Sequence, residues 1–250
     1  MRFDDLPALR AVPSVTAAQM AEVDRITIEE LHIGVNVLME NASRQIAAAA
    51  RAFVGGSVAG KRVIGLVGSG NNGGDTAGAL RHLTNWGARV YAEVAAPQEH
   101  LRETARTQLE RLRPASTDVA VVHDASRKGF RDLEADLLID GFLGYSAHGA
   151  PRETLAKLID AANASRLPIL AVDIPSGIDP DTGAIPGTAI RAAATVTLAL
   201  PKPGLLLNET RAWVGELLLA DIGIPHAAFN RIGVETRRLF EQGDLVRIVV

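Results

Sequence analysis

Short apolar runs alternate with longer helical patterns from Arg62 onward. Five apolar runs predict strands, at Val63 to Val67, Arg89 to Val94, Val119 to Val122, Asp136 to Asp140 and Pro168 to Asp173. The helical patterns between them end near Trp86, run from about Leu101 to Leu112, and run from about Pro151 to Ala164. Two further apolar runs, Ala194 to Ala199 and Glu216 to Ala220, extend the sheet with no obvious helix between them. Because strands this apolar need cover on both faces, the pattern predicts an α/β fold with a mostly parallel sheet.

Two helices are predicted before the first core strand. Ser14 or Thr16 is the candidate N-cap of the first helix, which runs to about His32 with apolar side chains on one face. The second helix runs from about Val35 to Phe53, and the glycine pair at 55–56 ends it.

The size of the chain suits one large α/β domain. At 250 residues and 47% hydrophobic, it is long enough to bury a sizeable core. No repeat, low-complexity segment or linker divides it, so we expect a single domain over residues 1–250. The stretch from about His226 to Val250 has mixed charge and weak periodicity, and the pattern defines no element there.

Charge and cysteine usage narrow the classes of partner. Lys and Arg number 26 against 29 for Asp and Glu, and the net charge of -3 gives no electrostatic footprint for nucleic acid or anionic lipid. No apolar run approaches the ~18 residues of a membrane helix, and no basic and apolar leader begins the sequence. The absence of cysteine excludes thiol chemistry and fits a reducing compartment. We expect a cytoplasmic protein that binds neither nucleic acid nor membrane.

A glycine-rich segment, residues 68–75 with the sequence Gly-Ser-Gly-Asn-Asn-Gly-Gly-Asp, follows the first core strand and opens a helical pattern. Its glycines allow a sharp turn, and free N–H groups at a helix start bind phosphate oxygens. Gly68, Gly70 and Gly73 have the dinucleotide-binding spacing, and Glu93 lies about twenty residues on, where an acidic side chain holds a ribose hydroxyl. The alternative interpretation is a tight turn in which Asp75 caps the helix.

Asn71 and Asn72 place two amides beside this predicted phosphate cradle. An amide oxygen is also a suitable ligand for an alkali or alkaline-earth cation. The alternative is that the two asparagines only form the turn.

Two aspartates end predicted strands farther along the chain. Asp140 and Asp173 occupy these positions, and Ser176 follows closely. Because open parallel sheets bind ligands at the carboxyl ends of their strands, we expect these side chains and Asn72 to form one site. The alternative for each aspartate alone is a loop cap. Ser176 lacks the surroundings of a nucleophile elbow, so we do not predict acyl transfer.

Two loops near the same edge carry further candidates. Gly144 to Ala150 form a polar loop able to close over a ligand, in which His148 is either an acid or base or a solvated side chain. Lys202 lies between two prolines that stiffen its loop, and it is either a phosphate-binding residue or a surface lysine at a rigid turn.

Five segments in this order resemble the YjeF N-terminal domain family, the NAD(P)HX epimerases. They are Leu38 to Ala42, Asn71 to Asp75, Val172 to Gly177, Pro201 to Leu205 and Ala220 to Gly223, within a similarity that covers about Val15 to Pro225. The resemblance implies a three-layer α/β/α Rossmann-like fold with two N-terminal helices. It also implies an enzyme that interconverts the R and S forms of hydrated NADH and NADPH, a repair of damaged nicotinamide nucleotides.

The resemblance further implies a bound potassium ion, a homodimer, and an NAD(P)HX dehydratase as the pathway partner. We expect that dehydratase to be a separate chain, because these 250 residues contain no such domain.

The resemblance assigns roles to individual residues by their positions in the family's motifs. Substrate binding is assigned to Asn71, Asn72, Gly73, Gly74, Asp75, Gly144, Tyr145, Ser146, Ala147, His148, Gly149, Ala150 and Asp173. The implied potassium ligands are Asn72, Asp140 and Ser176. Asp173 is also the candidate catalytic residue, because a carboxylic acid placed at the reacting oxygen serves as acid in one half of the reaction and base in the other.

The sequence departs from the family's pattern at two places. Thr76 stands where glycine commonly follows the Asn-Asn-Gly-Gly-Asp run. Residues 141–146, Gly-Phe-Leu-Gly-Tyr-Ser, replace the usual Ala-Leu-Phe-Gly-Thr-Gly, with a shorter loop after them. Both departures concern the site rather than the fold.

Two rival functions remain open on the sequence. The glycine spacing and Glu93 fit an NAD-dependent oxidoreductase, although the chain has no evident catalytic Tyr-Lys pair and no separate substrate domain. The altered loop with Tyr145 fits a non-catalytic nucleotide-binding or interaction module of the same fold.

Overall fold

The structure, a computed structural model, describes residues 2–115, 118–121 and 134–249, and only the backbone of residues 118–121. The strands within these ranges are β1 Ala8–Leu9, β2 Arg62–Val67, β3 Arg89–Val94, β4 Asp118–Val121, β5 Leu137–Gly141, β6 Ile169–Val172, β7 Ala194–Leu198, β8 Glu216–Ala220 and β9 Leu245–Ile248. The α-helices there are α1 Ala17–Arg25, α2 Val35–Phe53, α3 Asn71–Asn85, α4 Glu103–Leu112, α5 Glu153–Ala164, α6 Arg211–Val214 and α7 His226–Asn230. A π-helical turn, Ile26–Glu30, continues α1.

These strands form one sheet in the order β1-β9-β8-β7-β6-β5-β2-β3-β4. All neighbouring strands are parallel except β8 and β9, which are antiparallel. From β2 the chain first builds outward through β3 to β4, then returns to place β5 on the other side of β2. This reversal opens a crevice at the carboxyl ends of β2 and β5, where doubly wound sheets bind ligands.

Helices cover both faces of the sheet. On one face, Ile46 of α2, Leu80 of α3 and Leu109 of α4 are buried in the same apolar cluster as Val63 and Ile139 of the sheet. On the other face, α5 buries Leu158 and Ile159 against residues such as Ile64 and Leu138. Because successive side chains of a strand point to opposite faces, strands such as β2 and β5 contribute to both clusters. The predicted three-layer α/β/α Rossmann-like arrangement is confirmed.

The two predicted N-terminal helices are present. Thr16 is the N-cap of α1, since its hydroxyl accepts a hydrogen bond from the Gln19 N–H at 3.2 Å and its own N–H donates to the Gln19 side chain at 2.9 Å. Helix α2 has the predicted bounds, and the Gly56 N–H closes its end on the carbonyl of Arg51 at 2.8 Å.

The prediction was incomplete at the chain ends and between two strands. The short helix α6 lies between β7 and β8, where no helix was predicted. The residues before α1 contribute β1, and the C-terminal stretch contributes α7 and β9. The periodicity of that stretch is weak because both of its elements are short. Val122, the last residue of a predicted strand, lies outside the described residues. None of the helices in the described residues is long and apolar enough to cross a membrane.

Candidate active site

The glycine-rich segment forms the turn from β2 into α3. Gly70 is the N-cap of α3, which begins at Asn71, so Asp75 is the fifth residue of the helix and the alternative interpretation, in which it caps the helix, is wrong. No side chain caps this helix start, and the first N–H groups of a helix have no partner within it. A Cβ on Gly73 would lie 2.0 Å from the Gly68 carbonyl oxygen, so this turn accepts only glycine there.

A cavity of about 380 Å³ lies at this edge of the sheet. Its lining comes from α1 and the turn that continues it, α2, the starts of α3 and α4, and the segments that follow β2, β5, β6, β7 and β8. Of the residues assigned to substrate binding, Asn71, Asn72, Asp75, Gly144, Tyr145, Ser146, Ala147 and Asp173 line it. The structure therefore brings most of the predicted site together around one space.

The other assigned residues lie outside the lining. They are Gly73, Gly74, His148, Gly149 and Ala150. Gly74 faces α2 and α4 instead, because a Cβ there would lie 3.0 Å from the Met39 side chain and 3.3 Å from Ala105. Glu93 is 1% exposed within β3 and does not line the cavity either, so the expected ribose contact is absent from this lining.

Asp173 forms a buried ion pair with Lys202. The Lys202 ammonium lies 2.5 Å from Asp173 Oδ1, and the two side chains are 1% and 6% exposed. The backbone N–H of Leu198 also donates to Asp173 Oδ1 at 3.3 Å. Asp173 has a φ of 63°, a left-handed conformation that brings its backbone sharply out of β6. Lys202 is thus not a surface lysine, and its charge is compensated by Asp173.

A second polar pair crosses the cavity lining from α1 to the loop after β5. The Tyr145 hydroxyl donates to Asp24 Oδ2 at 2.6 Å. Burial raises the pKa of Asp24, although the hydrogen bond from Tyr145 and the charge of Lys202 oppose this. Sequence reasoning missed Asp24; the signal was an acidic residue four positions after Met20, on the apolar face of α1.

Asp75 is the third carboxyl group of the cavity. Its side chain is on the inner face of α3, and the residue is 7% exposed. Burial raises the pKa of Asp75 well above its usual range, and the charges of Asp173 and Asp24 raise it further.

The residues assigned to potassium form a cluster linked by hydrogen bonds through Leu143, whose carbonyl accepts from Asn72 and whose N–H donates to Ser176 Oγ at 2.9 Å. Ser176 Oγ donates to Asp140 Oδ1 at 2.7 Å, and the Ser176 N–H donates to Asp140 Oδ2 at 2.9 Å. The Asn72 amide donates to the carbonyl oxygens of Leu143 at 2.7 Å and Val172 at 3.1 Å. Burial raises the pKa of Asp140 to about 6, against the hydrogen bonds from Ser176 and Phe142.

This donor set fits a hard monovalent cation. It offers an amide, a hydroxyl, backbone carbonyl oxygens and one buried carboxylate, and these are the ligand types that alkali and alkaline-earth ions prefer. The described residues contain no group of three or more His, Cys, Asp or Glu placed to hold a metal ion. With so little negative charge, the cluster suits a monovalent rather than a transition-metal ion.

The family model described as YjeF-related protein N-terminus matches residues 35–204. The chain belongs to this family. One YjeF-related protein, from Dehalogenimonas lykanthroporepellens and named NAD(P)H-hydrate epimerase, is 38% identical over 96% of this chain and 94% of its own length. Another, from Moorella thermoacetica and named bifunctional NAD(P)H-hydrate repair enzyme Nnr, is 39% identical over 84% of this chain and 40% of its own length. The chain thus spans less than half of that bifunctional relative.

A solved structure has the same fold as this chain. The crystal structure of yeast ynu0 superposes with a TM-score of 0.80, covering 94% of this chain and 100% of that one at 23% identity. At this identity the likeness shows the fold.

The two departures from the YjeF pattern contact each other in the structure. A Cβ on Gly141 would lie 1.9 Å from Thr76 Oγ1, and the Thr76 hydroxyl donates to the Asn72 carbonyl at 3.0 Å. Thr76 therefore occupies the space that an alanine at position 141 would need. Thr76 and Gly141 therefore depend on each other, because the threonine side chain fits only when position 141 has no Cβ.

Proposed function

We propose that this chain interconverts the R and S forms of hydrated NADH and NADPH. Membership of the YjeF family and the relative named NAD(P)H-hydrate epimerase support this activity. The observation that carries the proposal is the Asp173–Lys202 pair, which lines a cavity of about 380 Å³ beside the uncapped start of α3. That helix start suits the phosphates of a dinucleotide, and the cavity places a carboxylate near the rest of the ligand.

The chemistry requires proton transfer to and from one oxygen. In the hydrated nicotinamide the hydroxyl lies on the carbon next to the ring nitrogen. Once this oxygen is protonated, the nitrogen lone pair expels water and an iminium forms, to which water returns on either face. The Lys202 ammonium lies 2.5 Å from Asp173 Oδ1, and in the proposed reaction Asp173 accepts a proton from the incoming water and returns it in the reverse reaction.

Asp173→Asn tests this role. We expect the rate of interconversion of the purified R and S hydrates to fall by about 10²-fold or more, because general acid–base catalysis contributes on that scale. Chromatographic separation of the two epimers measures this rate. Asparagine tolerates the left-handed backbone at this position, but the substitution leaves the buried Lys202 ammonium without its counter-charge, so circular dichroism of the variant checks that it is folded. Full activity in a folded Asp173→Asn protein would reject the role, and Asp244→Asn, at an exposed position outside the cavity lining, is the control.

The rival functions make different predictions. An oxidoreductase would change nicotinamide absorbance with a reducible substrate, but Glu93, on which that interpretation relied, lies outside the cavity lining. A non-catalytic module would bind ADP-ribose tightly and leave both hydrate epimers unchanged.

We also propose that potassium binds at Asn72, Asp140 and Ser176. A bound cation supplies positive charge that neutralises Asp140 and fixes the loops after β5 and β6. We expect a higher thermal midpoint in potassium chloride than in N-methyl-D-glucamine chloride at equal ionic strength, and no difference for Ser176→Ala. Equal midpoints for the parent protein in the two salts would contradict the site.

We further propose a cytoplasmic homodimer that works with a separate NAD(P)HX dehydratase. The bifunctional relatives, named repair enzymes, support a linked partner activity. A dehydratase that consumes one epimer should stop halfway through an equal mixture and proceed to completion when this chain is added. Light scattering after gel filtration tests the dimer.

A further inference from the structure

Three carboxyl groups line the cavity in the described part of the chain, and they differ in their partners. Asp173 is paired with the Lys202 ammonium at 2.5 Å. Asp24 accepts the Tyr145 hydroxyl at 2.6 Å. The carboxyl group of Asp75 has no hydrogen-bond or ion-pair partner among the described residues, although it is more than nine-tenths buried.

The surroundings of Asp75 favour its neutral form. Besides Asp173, the cavity lining contains four other titratable or cationic groups. They are Asp24 on α1, Tyr145 in the loop after β5, Arg102 at the start of α4 and Lys202 in the loop after β7. Neither cation forms an ion pair with Asp75, and the two aspartates raise its pKa, in addition to the larger effect of burial. A buried carboxyl group without a counter-charge retains its proton.

The proposed reaction needs a proton donor that the Asp173–Lys202 pair does not supply. Asp173 is assigned to the incoming water, and the Lys202 ammonium donates to Asp173 and to the Leu198 carbonyl, whereas the leaving hydroxyl must first be protonated. Two carboxyl groups in different surroundings, here one beside an ammonium and one with no counter-charge, are the usual basis for separate acid and base roles.

We propose that Asp75 is a second catalytic residue, the acid that protonates the leaving hydroxyl while Asp173 accepts the proton of the incoming water. The inference rests on the proposed function and deepens it. It gives a chemical step to a residue for which the family resemblance implies only substrate binding.

The proton and bond balance of one turnover closes. The Asp75 proton moves to the hydroxyl oxygen, the C–O bond breaks, and water leaves as the iminium forms. A water molecule adds to the same carbon, its proton moves to Asp173, and the opposite epimer results. Asp75 is then ionised and Asp173 protonated, and exchange with solvent after product release restores both. In the reverse direction from this state, the two residues exchange roles.

The pH profile of the unaltered protein is the first test. We expect kcat to fall as the pH rises through the pKa of Asp75, because the acid is lost when it ionises. The raised pKa places this alkaline limb well above the range of an ordinary aspartate. A kcat that stays constant from pH 5 to pH 10 overturns the assignment whether or not any variant folds.

Asp75→Asn is the second test, because the amide has nearly the same shape but no acidic proton. We expect kcat to fall by about 10²-fold or more, the alkaline limb to disappear, and ADP-ribose affinity to stay within about twofold. Asp244→Asn, exposed and outside the cavity lining, is the control and should match the parent protein.

The outcomes separate this inference from the proposed function. A parent protein unable to interconvert the hydrates overturns both. An active parent with an equally active Asp75→Asn overturns only the role of Asp75. Loss of ADP-ribose binding in a folded Asp75→Asn protein also overturns it, since the residue then serves binding rather than proton transfer.

Discussion

Lys202 is the residue whose burial most changes the interpretation of the site. It is 1% exposed, and its charge is compensated by Asp173 at 2.5 Å. Removing one partner of a buried ion pair leaves an uncompensated charge, so we expect Lys202→Met to lower the free energy of unfolding by about 3 kcal/mol. Urea denaturation measures this loss.

Lys157→Met is the matched control for this prediction. Lys157 pairs with Glu153 at 2.8 Å, but both side chains are largely exposed. Its loss should cost less than about 0.5 kcal/mol. If the two substitutions lowered the free energy of unfolding equally, burial of the Lys202 pair would not be what makes its loss costly.

The pair formed by Thr76 and Gly141 yields a second prediction at the level of residues. We expect Gly141→Ala alone to destabilise the protein by about 2 kcal/mol, since its Cβ would lie 1.9 Å from Thr76 Oγ1. Adding Thr76→Gly relieves that contact and should recover about 1 kcal/mol, although the Asn72 carbonyl at 2.8 Å from the new Cβ still has to shift. Simple additivity of the two losses in urea denaturation would contradict the pairing.

At the level of elements, helix α1 is joined to the loop after β5 by the hydrogen bond from Tyr145 to Asp24. We expect Tyr145→Phe and Asp24→Ala to be non-additive in stability, with a coupling energy of about 1–2 kcal/mol, because each removes the same bond. A denaturation double-mutant cycle measures it.

Glu22→Gln, an exposed change on the same helix, is the control for this cycle. Glu22 pairs with Arg25 at 2.7 Å rather than with the loop, so its combination with Tyr145→Phe should be additive. A coupling energy near zero for Asp24 and Tyr145 would mean that the loop does not depend on α1.

At the level of the whole molecule, residues outside the family match complete the sheet. The range 35–204 lacks α1, β1, β8 and β9, so a protein limited to it would expose β7 as an edge. We expect this fragment to lose cooperative thermal unfolding and to aggregate, because Ala194 and Val196 would lose part of their cover. Calorimetry of the fragment beside the 250-residue chain tests this, and a cooperative transition at an unchanged midpoint would contradict it.

The central strands and long helices were predictable because their pattern is local. Strands such as β5 and β6 are buried at every position, and α2 has one apolar stripe, so their sequences alone distinguish strand from helix. The two-residue strand β1 and the four-residue strand β9 are too short for any periodicity. Their pairing comes from contacts across the chain, such as the Arg247 N–H with the Pro7 carbonyl at 2.7 Å.

The sequence by itself determined the family, the parallel sheet and the strand ends that meet at the crevice. Apolar patterns and short motifs involve residues that are close together in the sequence, so they can be recognised without the structure. Only the tertiary structure decided which side chains pair. Lys202 and its partner Asp173 are 29 positions apart, and Tyr145 and its partner Asp24 are 121 positions apart. The charges that act on Asp75 also come from residues far away in the sequence, Asp173 and Asp24. The charge state of a buried group depends on those distant neighbours, and no local pattern contains them.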